Sequence, residues 1–223
     1  MVRPAAPSVS LRTRALEEAL RIADSEGLDA LSIRRLAEAL GVKGASLYHH
    51  FKDKDEILAG VAFLALSELG PPDDEALPWI DWLLQVARSY REALLAHPNL
   101  LPLILGRHNR RAGSAVYDYA AMKLTEAGIP PAYQLTLLNT LEAYATGAVL
   151  YGLSAPAAAW EASLPADGCE HLRLALRSDA VDEDARFEMG CRALLEGLAA
   201  RVGAKPAAAT PGERTRRRSL NST

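Results

Sequence analysis

The segment of residues 32–54 constrains the fold more than any other part of this chain, and its sequence is SIRRLAEALGVKGASLYHHFKDK. Ser32 is of the type that caps a helix by accepting hydrogen bonds from its first N–H groups. The apolar residues after it recur at helical spacing and end at Gly41, which suits the left-handed turn that closes a helix. A second short helix is expected over residues 43–50. The segment therefore predicts two short helices joined by a tight turn.

The second of these helices carries a polar face that a protein core does not need. Leu47 and Phe51 lie four residues apart and can enter the core together. That leaves a lysine, a serine, a tyrosine and two histidines outward, in place of the Glu/Lys mix of an ordinary solvated face. Such a helix pair is typical of a helix-turn-helix, whose second helix fits the DNA major groove. The pattern predicts DNA binding, with a chance pair of helices in an all-α protein as the alternative.

The flanking segments predict two more helices that complete a small module. Asp53 is a candidate N-cap, and Glu56, three residues later, is its expected capping-box partner. They open a helix over residues 54–69, which a Gly-Pro-Pro run ends. On the other side, residues 11–25 have apolar residues at helical spacing. Three helices ahead of residue 54 can bury a core of their own.

The rest of the chain also favours helix, so an all-α fold is expected. The sequence is rich in Ala and Leu, and only 6% of its 223 residues are aromatic. Residues 154–168 are rich in Ala, Pro and Ser and are expected to form a mobile loop. The last residues, 204–223, are Pro/Ala-rich and basic, which is typical of a disordered tail.

Charge is unevenly distributed along the chain. Residues 1–54 carry a net charge of +2, residues 55–203 of −9 and residues 204–223 of +4, within a total of −3. The acidic middle part is therefore unsuited to nucleic acid, whereas the N-terminal part can bind phosphates. The basic candidates for phosphate binding there are Arg34, Lys43, Lys52 and Lys54, together with Arg3, Arg12 and Arg14 near the N-terminus.

Other classes of protein find little support. No apolar stretch has the length of a membrane span, and the N-terminus lacks the apolar core of a signal peptide, so a cytoplasmic protein is expected. Cys169 and Cys191 fit no metal-ligand spacing and are expected to be reduced. The sequence contains no Gly-rich phosphate loop, nucleophile motif or metal-ligand cluster, which argues against an enzyme.

The N-terminal sequence RALEEALRIADSEGLDALSIRRLAEALGVKGASLYHHFKDKDEIL resembles the DNA-binding domain of the TetR family of bacterial transcriptional regulators. The specific marks are the G-x-x-x-L-S-I-R-x-L-A run, the L-G-V turn and the L-Y-x-H-F-x-x-K run. Three later segments, PWIDWLLQVARSYREALLAHPNLLPLILG, EAGIPPAYQLTLLNTLEAYATGAVLYG and FEMGCRALLEGLAARV, resemble successive helices of the C-terminal domain of the tetracycline repressors. The resemblance thus covers most of the chain.

This resemblance implies an all-α protein with about nine to ten helices in two domains. A flexible arm at residues 1–10 precedes a three-helix helix-turn-helix domain at residues 11–54. A helical ligand-binding and dimerisation domain follows at residues 55–203, and the helix at residues 54–69 links the two. The implied function is a regulator, most readily a repressor that a small molecule releases from DNA. The alternative is a helical small-molecule-binding protein with weakened or lost operator binding.

The family resemblance also assigns roles at the DNA surface. Arg34 matches a base-reading arginine, which can bridge guanine O6 and N7, and Lys54 matches a phosphate contact at a helix start. Gly44 and Ala45 replace a base-reading amide and a proline of the tetracycline repressors, so a different operator is expected. The full set of candidate DNA-binding residues is Arg34, Lys43, Gly44, Ser46, Tyr48, His49, His50, Lys52 and Lys54.

A homodimer on a palindromic operator is expected. In the family, helices corresponding to residues 132–153 and 184–202 form a four-helix bundle between subunits. Here the first contains Gly147, Ala148 and Gly152 among leucines, and small residues allow helices to approach closely. The alternative is that both helices pack only within one chain.

The ligand site departs from that of the tetracycline repressors. Their drug-binding asparagine, metal-ligating histidine and acidic residue near the metal correspond to Val86, Ile104 and Tyr151, and only an aromatic position survives, at Tyr90. We therefore expect no tetracycline response, no metal and no cofactor. An apolar or aromatic inducer is expected instead, although the same residues could be ordinary core. The candidate pocket residues are Trp82, Val86, Tyr90, Leu103, Ile104, His108, Tyr117, Leu135, Leu138, Asn139, Glu142 and Tyr144.

Overall fold

A computed structural model describes residues 10–67, 72, 76–105, 114–154, 157–179 and 181–202. These residues contain eleven α-helices, two short 3-10 turns and no β-strand, which confirms the all-α prediction. The helices are α1 (Leu11–Glu26), α2 (Ile33–Leu40), α3 (Gly44–Tyr48), α4 (Lys54–Ser67), α5 (Trp79–Ala96), α6 (Leu101–Leu105), α7 (Ser114–Glu126), α8 (Pro131–Ser154), α9 (Ala157–Ala162), α10 (Glu170–Ser178) and α11 (Glu183–Arg201). The 3-10 turns are Leu28–Ala30 and Pro98–Leu100.

The chain divides into two compact units. Unit 1 takes the described residues of Met1–Gly70 and Glu92–Tyr117, and unit 2 takes those of Pro71–Arg91 and Asp118–Thr223. The first unit therefore contains α1 to α4 together with the end of α5, all of α6 and the first residues of α7. The predicted domain boundary after residue 54 stays a prediction. None of the described helices is both long and apolar enough to cross a membrane.

The core of unit 1 forms where α1 packs on α2 and α4. One face of α1 is built almost entirely from alanine, and Ala15, Ala19 and Ala23 are buried there. Small side chains let α4 approach closely, since a Cβ added at Gly60 would lie 2.5 Å from the side chain of Leu16. This close contact makes α4 part of the helix-turn-helix core.

Within unit 2, α8 and α11 pack along each other. The Tyr144 ring stacks on the Phe187 ring with centroids 5.9 Å apart, and its hydroxyl group lies where a Cβ on Gly190 would stand. At the end of α8, a Cβ added at Gly152 would lie 2.6 Å from a carboxylate oxygen of Glu183. Small residues on both helices thus serve a contact inside one chain.

The prediction of a mobile loop at residues 154–168 is wrong in part. Ala157–Ala162 forms a helix there, α9, because three consecutive alanines have the highest helix propensity. The helix predicted at residues 43–50 is also shorter than expected, because α3 ends at Tyr48 rather than His50. Residues 1–9 of the predicted arm, the tail and the predicted end of α4 at Leu69 lie outside the described residues.

Candidate nucleic-acid interface

The start and the end of α2 have the geometry that the sequence predicts. The Ser32 hydroxyl accepts a hydrogen bond from the Arg35 N–H at 3.1 Å, as an N-cap does. Gly41 adopts a left-handed backbone with φ 66°, and the Val42 N–H donates to the Ala37 carbonyl at 3.0 Å. This bond satisfies a carbonyl at the helix end and turns the chain toward α3. The turn therefore sets the direction in which the second helix leaves the first.

Two apolar side chains anchor α3 and the residues after it. Leu47 is fully buried, and the ring of Phe51 is almost so. Because α3 has only five residues, these two anchors decide which of its faces is turned to solvent. Tyr48 is turned to solvent, with 60% of its surface exposed. A large exposed aromatic side chain on a short helix is a feature of a binding face and not of a core.

The candidate DNA-binding residues all belong to unit 1, on α2, on α3, at the start of α4 and in the segments between these helices. Most are exposed, whereas Gly44 and Ser46 are half-buried. The two neighbouring arginines of α2 differ in how closely they are paired. Arg35 forms a close ion pair with Glu26 at 2.5 Å. The side chain of Arg34 is 88% exposed, and its ion pair with Glu38 is longer, at 3.8 Å. Arg34 is thus the arginine of the two that can turn to a new partner.

The turn between α3 and α4 is held by an interlocked set of hydrogen bonds. Asp53 accepts from the Glu56 N–H at 2.9 Å, which confirms the predicted N-cap of α4. The Glu56 carboxylate reaches back to the Lys52 N–H at 2.9 Å, one residue earlier than a standard capping box. This hydrogen bond is the largest cause that lowers the pKa of Glu56, and a hydrogen bond from Arg12 is the next largest. The carboxylate is therefore ionised at neutral pH.

Arg12 of α1 is a residue whose role the sequence did not reveal. Its Nη1 donates to the His50 carbonyl at 2.5 Å and to a Glu56 carboxylate oxygen at 2.9 Å. Its guanidinium carbon lies 4.7 Å from the centre of the Phe51 ring. No local pattern predicts these contacts, because they join residues 38 to 44 positions apart. Arg12 thus connects α1 to the exit of α3 and the start of α4.

The candidate pocket residues are distributed over both units. In unit 2, Trp82 is fully buried, and within the described residues its indole N–H has no hydrogen-bond partner. The Tyr90 hydroxyl lies 3.2 Å from the Thr146 hydroxyl, and burial raises the pKa of Tyr90. Leu138 is buried, Val86, Glu142 and Tyr144 are half-buried, and Leu135 and Asn139 are exposed. Unit 1 contains Leu103 and Ile104, which are buried, and Tyr117, which is half-buried.

His108 lies outside the described residues. Across the described ranges, there is no group of three or more His, Cys, Asp or Glu side chains placed to hold a metal ion.

Two family models match this chain and together cover most of it. Residues 15–61 match the model described as "Bacterial regulatory proteins, tetR family". Residues 71–202 match "Tetracyclin repressor-like, C-terminal domain". The chain belongs to the TetR family. This confirms the predicted regulator, and it agrees with the sequence argument against an enzyme because the family consists of transcriptional regulators.

Relatives agree with this assignment in sequence and structure. The Tetracycline repressor protein class A from transposon 1721 of Escherichia coli is 32% identical, over 83% of this chain and 89% of its own. Among solved structures, apo ActR from Streptomyces coelicolor is 30% identical with a TM-score of 0.74, covering 89% of this chain and 99% of that one. ActR in complex with actinorhodin is also 30% identical, with a TM-score of 0.71 and coverage of 88% and 100%. TetR-family regulators bind operator DNA as homodimers and respond to small molecules.

Proposed function

We propose that this TetR-family protein is a cytoplasmic repressor that binds a palindromic operator as a homodimer and is released by an apolar or aromatic small molecule. The exposed face of α3 carries the proposal. Tyr48 points outward there, while Leu47 and Phe51 hold the helix from behind. Exposed lysines and histidines flank it on the same short stretch of chain. This combination of a rigid support and a polar, basic surface suits the major groove.

In this proposal, the contacts to DNA differ in kind. Arg34 reads a base edge, since its fork of donors suits guanine. Ser46, Tyr48 and His50 contact the groove and the backbone, and Lys54 meets a phosphate at the N-terminus of α4. Lys43, His49 and Lys52 add phosphate contacts around them. Gly44 is half-buried, and Ala45 beside it has no polar side chain, so few bases are read at that end of α3.

The dimer is proposed to form through α8 and α11. Apolar side chains on these helices remain exposed in the single chain, among them Leu150, Tyr151 and Met189. Tyr151 is 83% exposed, which is unusual for a tyrosine on a long apolar helix unless a partner covers it. A Cβ added at Gly147 would meet nothing within 4 Å, so this small residue leaves room for a second subunit.

The inducer is proposed to be an aromatic or apolar molecule that carries a hydrogen-bond acceptor. Trp82, Val86 and Tyr90 are spaced four residues apart on α5 and so share one face of the helix. A buried N–H without a partner costs free energy, and an acceptor on a ligand would satisfy the one on Trp82. The related ActR has been solved with actinorhodin. Val86 offers no polar atom to a tetracycline.

Selection of binding sites from a pool of random duplexes tests the proposal for DNA. The full-length protein should enrich one palindromic sequence, and gel shifts should then show binding that survives excess competitor DNA. Failure to enrich any sequence would refute the repressor and favour the alternative, a ligand-binding helical protein without an operator.

The ligand proposal is tested on the selected duplex. Actinorhodin should release the protein from DNA, whereas tetracycline with Mg²⁺ should not. Trp82→Phe keeps the ring but removes the N–H, so it should raise the actinorhodin concentration needed for release by about tenfold. Trp160→Phe is the matched control, because this tryptophan is 53% exposed on α9. Release by tetracycline, or equal behaviour of the two variants, would contradict the proposal.

A further inference from the structure

The contacts of Arg12 converge on the segment that joins α3 to α4. Its guanidinium group donates to the carbonyl of His50, which lies just past the end of α3, and to the carboxylate of Glu56. Glu56 in turn accepts from the backbone N–H of Lys52. One arginine and one carboxylate therefore hold the backbone on either side of Phe51. The side chain of Arg12 is itself 44% exposed.

The segment held in this way carries several of the proposed DNA contacts. His49, His50, Lys52 and Lys54 lie within it or next to it, and all four are exposed. The α3 helix has five residues, which is too short to keep its own geometry in water. Its orientation must therefore come from contacts with the rest of unit 1. Leu47 and Phe51 supply the buried ones, and Arg12 adds a polar one from α1, the helix that packs on α2 and α4.

We propose that Arg12 is a positioning residue for operator binding, which acts by orienting the end of α3 and the start of α4 and not by contact with DNA. This inference rests on the proposed function, since it assigns a further residue to the same DNA-binding face. It replaces the expectation from sequence that Arg12 is one of the phosphate-binding arginines near the N-terminus.

The two roles predict opposite effects for the partner carboxylate. If Arg12 binds a phosphate, Glu56 competes for it and repels the DNA, so Glu56→Gln strengthens binding. If Arg12 positions the turn, Glu56 is part of the same support, and Glu56→Gln weakens binding. The sign of this one change therefore separates positioning from direct phosphate binding.

The salt dependence of binding gives a second, independent distinction. Removing one side chain that binds a phosphate reduces the slope of log K against log salt concentration by about one. Removing a positioning arginine leaves that slope unchanged. Binding to non-specific duplexes depends on charge alone, so a positioning role lowers affinity for the selected operator more than for random DNA.

The experiment measures the affinity of the full-length protein for the selected duplex and for a scrambled one, by fluorescence anisotropy over a series of salt concentrations. Arg12→Gln and Glu56→Gln are the test variants. Arg21→Gln and Glu18→Gln are matched controls, because Arg21 pairs with Glu18 at 2.6 Å on the same helix, away from the α3–α4 segment. Circular dichroism melts identify the temperature at which every variant is folded.

Arg12→Gln and Glu56→Gln are each expected to weaken operator binding about tenfold more than their controls, with an unchanged salt slope and little change on scrambled DNA. Should Arg12→Gln fail to fold, Arg12→Lys keeps the charge but removes the planar guanidinium group that lies over the Phe51 ring, and it should still weaken binding to the operator. Stronger binding by Glu56→Gln, or a slope reduced by about one in Arg12→Gln, would overturn the inference. A wild type that selects no duplex would refute the proposed function and this inference together, whereas equal affinities of Arg12→Gln and Arg21→Gln would refute this inference alone.

Discussion

Tyr48 and Leu47 are neighbours on α3, yet their surroundings are opposite, since Leu47 is fully buried and Tyr48 is mostly exposed. At the scale of the residue, this contrast means that Leu47 supports the helix and that Tyr48 is free to recognise DNA. Removing Leu47 would empty part of the core, and cavities of that kind cost about 2–5 kcal/mol. Removing Tyr48 should cost much less stability and affect the surface alone.

Tyr48→Ala should therefore abolish operator binding while the dimer stays folded. An exposed side chain contributes within about 0.5 kcal/mol to stability, so the melting curve should barely move. Gel shifts on the selected duplex measure the loss, with Trp160→Ala as an exposed aromatic control outside unit 1. Unchanged operator affinity would show that Tyr48 does not contact DNA.

The two cysteines also differ in their exposure to solvent. Cys169 is exposed, while Cys191 is fully buried on α11, and burial raises the pKa of its thiol to about 12. At pH 8 only about one Cys191 thiol in ten thousand is a thiolate, and the reactive form is the thiolate.

Maleimide at pH 8 should therefore add one label to the folded protein and two after unfolding in guanidinium, as counted by mass spectrometry. Cys169→Ser should take up no label until it is unfolded. Two labels on the folded wild type would mean that α11 opens readily.

At the scale of the element, local signals determine where the helices of the helix-turn-helix begin and end. Ser32, Gly41 and Asp53 act on neighbours within five positions, so they could be predicted from sequence. Contacts between distant residues could not. Arg12 meets Glu56 across 44 positions, and Tyr144 meets Gly190 on another helix, and no periodicity encodes either pair. The sequence pattern does not predict α9, because the prolines and glycines around it outweigh its alanines.

Gly41 and Gly44 provide a matched test of the turn. Gly41 has φ 66°, where a Cβ costs about 1–2 kcal/mol, so Gly41→Ala should destabilise the protein by that amount. Gly44 has no positive φ, and a Cβ there would meet only Ile33 at 4.0 Å. Gly44→Ala should leave stability unchanged or raise it slightly. Equal denaturant midpoints for the two variants would contradict the role of the turn.

At the scale of the whole molecule, the charge of the protein and its proposed function agree. A chain with net charge −3 binds DNA only if its basic groups are gathered on one surface, and the exposed candidates of α2 to α4 supply such a surface. The family could be inferred from sequence because its marks are short and local. The inducer could not be identified, because a pocket is defined by the shape that distant segments enclose.

The proposed dimer makes a prediction at this scale. Tyr151→Glu places a charge where an apolar partner surface is expected, and burying an unpaired charge is costly. The variant should therefore be monomeric by light scattering and should lose operator binding. Leu174→Glu is the control, since Leu174 is 66% exposed on α10, outside the proposed interface. A dimeric Tyr151→Glu would require another interface.

The separation of supporting residues from exposed residues on α3 has an evolutionary consequence. Leu47 and Phe51 hold the helix, and Arg12 connects its exit to α1, while the outward positions touch little of the protein. Substitutions at the exposed residues Ala45 and Tyr48 can therefore accumulate with little loss of stability. Descendants of one gene can acquire new operators without first acquiring compensating mutations in the core.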